Sequence, residues 1–416
     1  MQTFRLKRNF LCIVILFSTL AYSQVGFGLS EDACRRLSSR LQGISPSPAQ
    51  MTSCKAENDV YAAALLFTTS DRFLAEVKDV FAVTGNEDGD YLQPLTDYTA
   101  TIMGFARDDL DYREALYGDI FYTCEGGTQQ NACRANGQDC RQYANENNNH
   151  YEDCEADGRY QGLLKQESIK ARNTIFAVDD ERVPAGIYTT AGWGCMVYED
   201  GTNRAALRWT LAHHMGEVID KFADGQVPDE HVRRDVTRAP GGNPDEYKAK
   251  CKTCHAGMDA LADAWAYNDC NIDAENGTRE LTYSLPSAQA NDSALEQAVV
   301  PKYSNNANTS PDGHVTKNDN WENRWNFRAN TRVGWNFPEN EVFKAKGPKA
   351  FGKMISETDQ FLRATAQRVY RKTCLVEEKL HESAVLKDLV TSFKADGYSL
   401  RKLFARSAAK CATPKK

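Results

Sequence analysis

The chain has 416 residues, 41% of them hydrophobic and 26% charged, with a formal net charge of −7 and 13 cysteines. That apolar content excludes a disordered or collagen-like chain, and the length allows roughly two or three domains with real cores. The acidic balance argues against a protein held on nucleic acid by phosphate neutralisation, which needs a concentrated surplus of Lys and Arg.

Arg5, Lys7 and Arg8 precede an apolar run from Phe10 to Leu20, and Ala21-Tyr22-Ser23 puts small residues at the two positions that signal peptidase inspects. The run falls short of the roughly 18–20 residues of a membrane span, so residues 1–23 read as a cleaved secretory signal. No other stretch is apolar enough for an integral span. Cleavage removes Cys12 and takes the formal charge to about −10. An even set of cysteines then remains, which in an exported chain points to disulfides.

From Ser30 to Leu41 the pattern predicts a short helix with Ser30 as N-cap. A longer helix is expected from about Glu57 to Phe81, with Leu65, Leu66, Phe73, Leu74, Val77 and Phe81 on its buried side. The stretch from Cys124 to Cys154 is rich in Asn and Gly, and its four cysteines would supply the order that a core cannot. It reads as a disulfide-stapled surface insertion. Tyr188 to Val197 is β-branched and aromatic enough for a strand or extended segment. Arg204 to Phe222 reads as an amphipathic helix whose stripe of Leu207, Leu211, Val218 and Phe222 includes His214 and Met215, with His213 pointing away. Arg233, Arg234 and Arg238 follow, either as partners for the propionates of a haem or as a solvated face.

Residues 251–255 read Cys-Lys-Thr-Cys-His, the C-x-x-C-H spacing of covalent c-type haem attachment. Two thiols three residues apart on a helical turn can each add to a haem vinyl group, and the next imidazole reaches the iron. Cys251 and Cys254 would be the thioether anchors and His255 the proximal ligand and sole predicted metal-binding residue. A redox-active pair needs a thioredoxin-like setting, structural zinc needs four ligands, and a plain disulfide leaves the histidine without a role. A single motif means a single haem. Met258 follows His255 by three residues on the same helix face, so the two cannot ligate opposite faces of one porphyrin. Met354, His214 and Met215 are the candidates for a sixth ligand, beside an open or water-bound iron.

Asn276 to Asp319 is polar with little periodicity and reads as loops or a linker. Beyond Trp321, Trp325 and Trp335, helices are expected over Lys349–Cys374, Ala384–Ala395 and Leu400–Ala409, with Cys374 and Cys411 placed to form a disulfide.

Four runs together resemble planctomycete-type cytochrome c proteins, over about residues 90–410. They are Thr96-Asp97-Tyr98-Thr99, Pro184-Ala185-Gly186-Ile187 through Gly201-Thr202-Asn203-Arg204, Cys251 to Asp259 in the form C-x-x-C-H-x-x-M-D, and Phe393 to Phe404. The pattern departs at Ala260-Leu261-Ala262-Asp263, where Pro-Leu-Gly-Phe is common, and in the Cys124–Cys154 insertion. The resemblance implies an exported haem-binding protein and leaves its physiological reaction open.

The expected fold is mainly α. It would comprise a signal at 1–23, a helical domain at 24–123, the cysteine-rich insertion at 124–160, a helical c-type haem domain at 161–275, a polar linker at 276–320 and a helical C-terminal domain at 321–416. The expected function is one-electron transfer by an exported monohaem cytochrome with one covalent haem c, in a periplasm or on a cell surface. Its acidic surface would suit a basic redox partner protein, with no nucleic acid and no integral span. The alternatives are a haem enzyme with an open iron site for a small ligand, and a disulfide-stabilised secreted interaction protein without haem.

Overall fold

The computed structural model describes residues 28–83, 94–124, 148–172, 182, 184–199, 202–273, 275, 278–285, 290–305, 309–376 and 383–412. The expected signal at 1–23, most of the cysteine-rich insertion, and with it Cys133 and Cys140, lie outside them. The fold is mainly helical, stapled by four disulfides among the described residues.

The chain opens with α1 (Glu31–Gln42), α2 (Pro48–Ala56), α3 (Val60–Leu66), α4 (Asp71–Phe81) and α5 (Asp97–Arg107). Ser30 caps α1 as expected, accepting from the Ala33 amide. The single helix expected from Glu57 to Phe81 is two. Ser70 caps α4, and Gln42 donates to the Phe67 carbonyl and the Ser70 hydroxyl, fixing the break by a bond from another helix. Strands β1 (Phe121–Cys124) and β2 (Leu164–Glu167) pair antiparallel, with α6 (Asn149–Asp157) and α7 (Tyr160–Leu163) between them. Gly104 of α5 lies under the Tyr122 ring, where a Cβ would come within 2.3 Å of it.

The segment expected to be extended is instead a 3-10 turn (Gly186–Thr189) followed by α8 (Ala191–Val197). The reason is a tertiary cap. The buried Asp97 carboxylate of α5 accepts from the Ala191 and Gly192 amides at 2.7 and 2.8 Å, satisfying donors at the start of α8 that its own N-cap residue leaves open. Next come α9 (Arg204–Met215), the short α10 (Pro244–Glu246), a π-turn (Tyr247–Cys251) and α11 (Lys252–Ala262). Gly216 (φ 62°) ends α9 six residues before Phe222, which lies in a separate 3-10 turn.

The stretch expected to be loop or linker carries structure. Strand β3 (Asn268–Asp273) pairs with β4 (Thr278–Tyr283), and α12 (Asp292–Ala298) and α13 (Lys302–Asn305) follow. Strands β5 (Asn320–Asn323) and β6 (Phe343–Lys346) form the third ribbon. The last helices are α14 (Gly347–Ser356), α15 (Asp359–Cys374), α16 (Ala384–Ala395) and α17 (Leu400–Ala412), so the helix expected from Lys349 to Cys374 breaks at the Thr358 cap.

One hydrophobic core runs from Cys34 to Ala412, and a smaller one gathers Phe121, Ile169, Tyr267, Leu285 and Tyr303. α17 packs against α1, α3 and α15, with Phe73 of α4 edge-on to Phe404 at 5.4 Å. The expected Cys374–Cys411 disulfide is present. It closes a 37-residue separation, and removing it as Cys374→Ser/Cys411→Ser is expected to cost about 4 kcal/mol, read as the shift of the urea midpoint at constant m-value.

Candidate functional site

Of the described cysteines, Cys251 and Cys254 alone stand outside disulfides, both half-buried. Cys251 closes the π-turn and Cys254 lies in the first turn of α11, so the expected thiol pair and His255 do sit together at the start of one helix. Burial pushes the Cys254 thiol up, opposite to what a thiol-exchange nucleophile requires. Gly257 lets Trp325 lie flat on this helix, since a Cβ there would meet the indole Nε1 at 1.9 Å.

His255, Asp259 and Asp263 recur at intervals of four along one face of α11 and its final turn. His255 Nδ1 is 3.2 Å from Asp259 Oδ1. The Asp259 carboxylate is fully buried and also accepts from Arg204 Nε at 2.6 Å, Arg204 Nη2 at 3.0 Å and the Arg233 amide at 3.0 Å. Burial by itself would raise its pKa. The His255 hydrogen bond and the Arg204 and Arg233 charges outweigh it and hold the carboxyl well below the usual carboxylate range. Arg204 continues to Asp235 at 2.5 and 2.8 Å.

The Thr202-Asn203-Arg204 run builds this junction. Asn203, at φ 54°, donates to the Trp265 and Asn268 carbonyls, Thr202 gives its carbonyl to Arg233 Nη1, and Arg204 starts α9 facing Asp259. Arg233 is buried, so it is not part of a solvated face. Its Nη2 donates to Asp263 Oδ1 at 2.6 Å, and its guanidinium lies 4.5 Å over the Tyr303 ring. Arg238 is spent on the Val232 and Val236 carbonyls, and of the three arginines only Arg234 is exposed.

Asp263 extends the network to a second cluster. Its Oδ1 also accepts from Thr316 at 2.7 Å, and its Oδ2 lies 3.0 Å from His314 Nε2. The His231 and His314 rings are 4.8 Å apart. His231, Asp263 and His314 each offer a ligand atom within 4.8 Å of the others. Burial, helped by His314 and Arg324, lowers the His231 pKa. This cluster was not expected, because its members come from three segments with no shared motif.

The candidates for a sixth ligand are all buried. His214 is ringed by Tyr98, Tyr188 and Trp193, with the nearest centroid, that of Trp193, at 5.3 Å. Met354 Sδ accepts from Asn323 Nδ2 at 3.3 Å, and Met215 packs at the end of α9 with its carbonyl bonded to Gln360. Met258 is likewise buried.

Asp259→Asn leaves Arg204 and Arg233 without their shared counter-charge and is expected to cost about 3–5 kcal/mol in urea unfolding, with a smaller loss for the partly exposed Asp235→Asn. Burial and Arg368 lower the His213 pKa from 6.5 to about 4, and burial likewise holds that of His214 well down. Between pH 6.5 and 4 the unfolded chain therefore takes up protons that the folded chain does not. Stability from this source is complete above pH 6.5 and falls as the pH drops, by roughly 3 kcal/mol for a shift of this size. Melting curves from pH 8 to 4.5 should show that slope, and His213→Gln/His214→Gln should flatten it.

No protein-family model, curated protein or solved structure matches this chain, so the chemistry of its sites is argued from its own residues.

Proposed function

We propose that the chain is an exported monohaem c-type cytochrome whose haem is held by Cys251, Cys254 and His255. The observation that carries this reading is the pair of free thiols. The eight other described cysteines are paired, and the two left over are spaced three apart beside a histidine. The donor set fits the group, with two thiols for thioethers and one imidazole for the metal. Haem c bound there supplies one-electron exchange. Asp259 accepts the His255 Nδ1 proton, which fixes the tautomer, leaves Nε2 as the ligating nitrogen and raises its basicity. Arg204 and Arg233 keep Asp259 ionised, so the imidazole is oriented by a permanent charge.

The four disulfides support an oxidising compartment, periplasmic or at the cell surface, in keeping with the sequence of residues 1–23. Among the described residues no helix is long and apolar enough to cross a membrane. The acidic chain would dock a basic redox protein, with an on-rate that falls as salt rises. The burial of His214, Met215 and Met354 in the core favours one second reading, a haem enzyme with an open iron position for a small ligand.

Expression with c-type haem maturation, followed by a haem-stained denaturing gel, tests the proposal. The wild-type band should stain, and Cys251→Ala/Cys254→Ala should remove the stain without removing the protein. His255→Ala should keep a thioether-bound haem with an altered spectrum. An unstained wild-type band would sink the proposal, and a reduced protein that binds carbon monoxide would favour the enzyme reading.

A further inference from the structure

We propose that His231, Asp263 and His314 form a mononuclear site for a divalent first-row transition ion, separate from the Cys251–His255 motif, with open positions facing a small cavity. Two imidazoles and one carboxylate are the donor set of zinc sites that keep an exchangeable ligand and of facial-triad iron sites. The three ligand atoms lie within 4.8 Å of one another, so small side-chain adjustments bring all three to one ion.

The backbone holds the two histidines side by side. Arg233 and His314 form an isolated parallel bridge, in which the His314 amide donates to the Val232 carbonyl at 2.9 Å. Thr309 and Ser310 add amide bonds to the Arg234 carbonyl. Gly313 permits this approach, because a Cβ there would sit 2.8 Å from the Arg234 Cα. Asp263 reaches the pair from the end of α11, its Oδ1 fixed by Arg233 and Thr316 and its Oδ2 facing His314.

The partners of these residues match what a metal site uses. His231 Nδ1 is buried with no hydrogen bond, while its Nε2 lies 3.7 Å from Glu322 Oε2. That arrangement leaves Nδ1 for the ion and puts a carboxylate near the other ring nitrogen, beyond hydrogen-bond distance. Glu322 is itself held by Arg324 at 2.7 Å and Lys344 at 2.5 Å, so it does not compete for the ion. The three residues line a cavity of about 470 Å³ with Lys317, Lys344 and Lys346 on its wall. The open positions would take water or a small anion such as phosphate or a carboxylate.

The test is Zn²⁺ titration of the EDTA-treated full chain by calorimetry, in the wild type and in Cys251→Ser/Cys254→Ser. The cysteine variant removes the one other set of free thiol donors among the described residues, so the result is independent of whether haem is attached. We expect one Zn²⁺ per chain with micromolar or tighter affinity in the cysteine variant, weakened at least about 100-fold by His231→Ala and by His314→Gln. Melting curves in EDTA establish that each variant is folded. X-ray absorption of the zinc-loaded cysteine variant reads the ligands without any change at the site, and should show nitrogen and oxygen neighbours at about 2.0–2.1 Å with imidazole scattering. Absence of stoichiometric binding in the cysteine variant, or binding that persists in both histidine variants, overturns the proposal.

Discussion

A buried arginine and a half-buried one, set against two buried aspartates, hold this part of the molecule in register. Asp259 on α11 and Asp263 at its C-cap sit one turn apart, and Arg204 and Arg233 reach them from α9 and from the segment before α10. Each carboxylate gives up water, and each recovers it as charge-assisted bonds with defined directions. Apolar side chains of equal volume could hold the same segments together at similar stability. What the ions add is orientation, since the ladder ends in an imidazole at each end, His255 on Asp259 and His314 on Asp263.

The Cys251–His255 motif and the His-His-Asp cluster therefore draw on one charge network. His255 on α11 and Asp263 just past its end are eight residues apart, about 12 Å along a helix. The start of α11 meets the Asp224 and Trp325 side of the chain through Thr253 and Gly257, whereas Asp263 turns toward the β5–β6 ribbon and its cavity. One helix thus presents soft sulfur donors at its start and hard oxygen at its end. The arginines between them keep both carboxylates ionised.

What could be read in the sequence was what is local. Cys251, Cys254 and His255 fall within five consecutive positions, so their grouping is a local signal, and Ser30 announces the helix it caps. The α-rich character followed from apolar periodicity in α1, α4, α9 and α15. What was illegible depends on partners far away in the chain. α8 looked extended because the cap on its first turn comes from Asp97, more than ninety residues earlier. The solvated-face reading stood open for Arg233 because nothing near it in sequence reveals Asp263 or Tyr303. The His231, Asp263 and His314 cluster had no signature at all, since a parallel bridge and a helix end bring it together.

The packing of α17 on α1 and α3, with the Ala412 carbonyl accepting from Arg36, has a consequence for how the molecule is made. The apolar faces of the first helices are completed by a helix that follows them by more than 330 residues. A chain delivered from its amino end must hold those faces open until nearly all of it has emerged. Cys34–Cys54 can close early, because its partners are 20 residues apart, whereas Cys374–Cys411 locks only at the end. Biogenesis is thus ordered by topology: local crosslinks first, and final closure by the segment that arrives last.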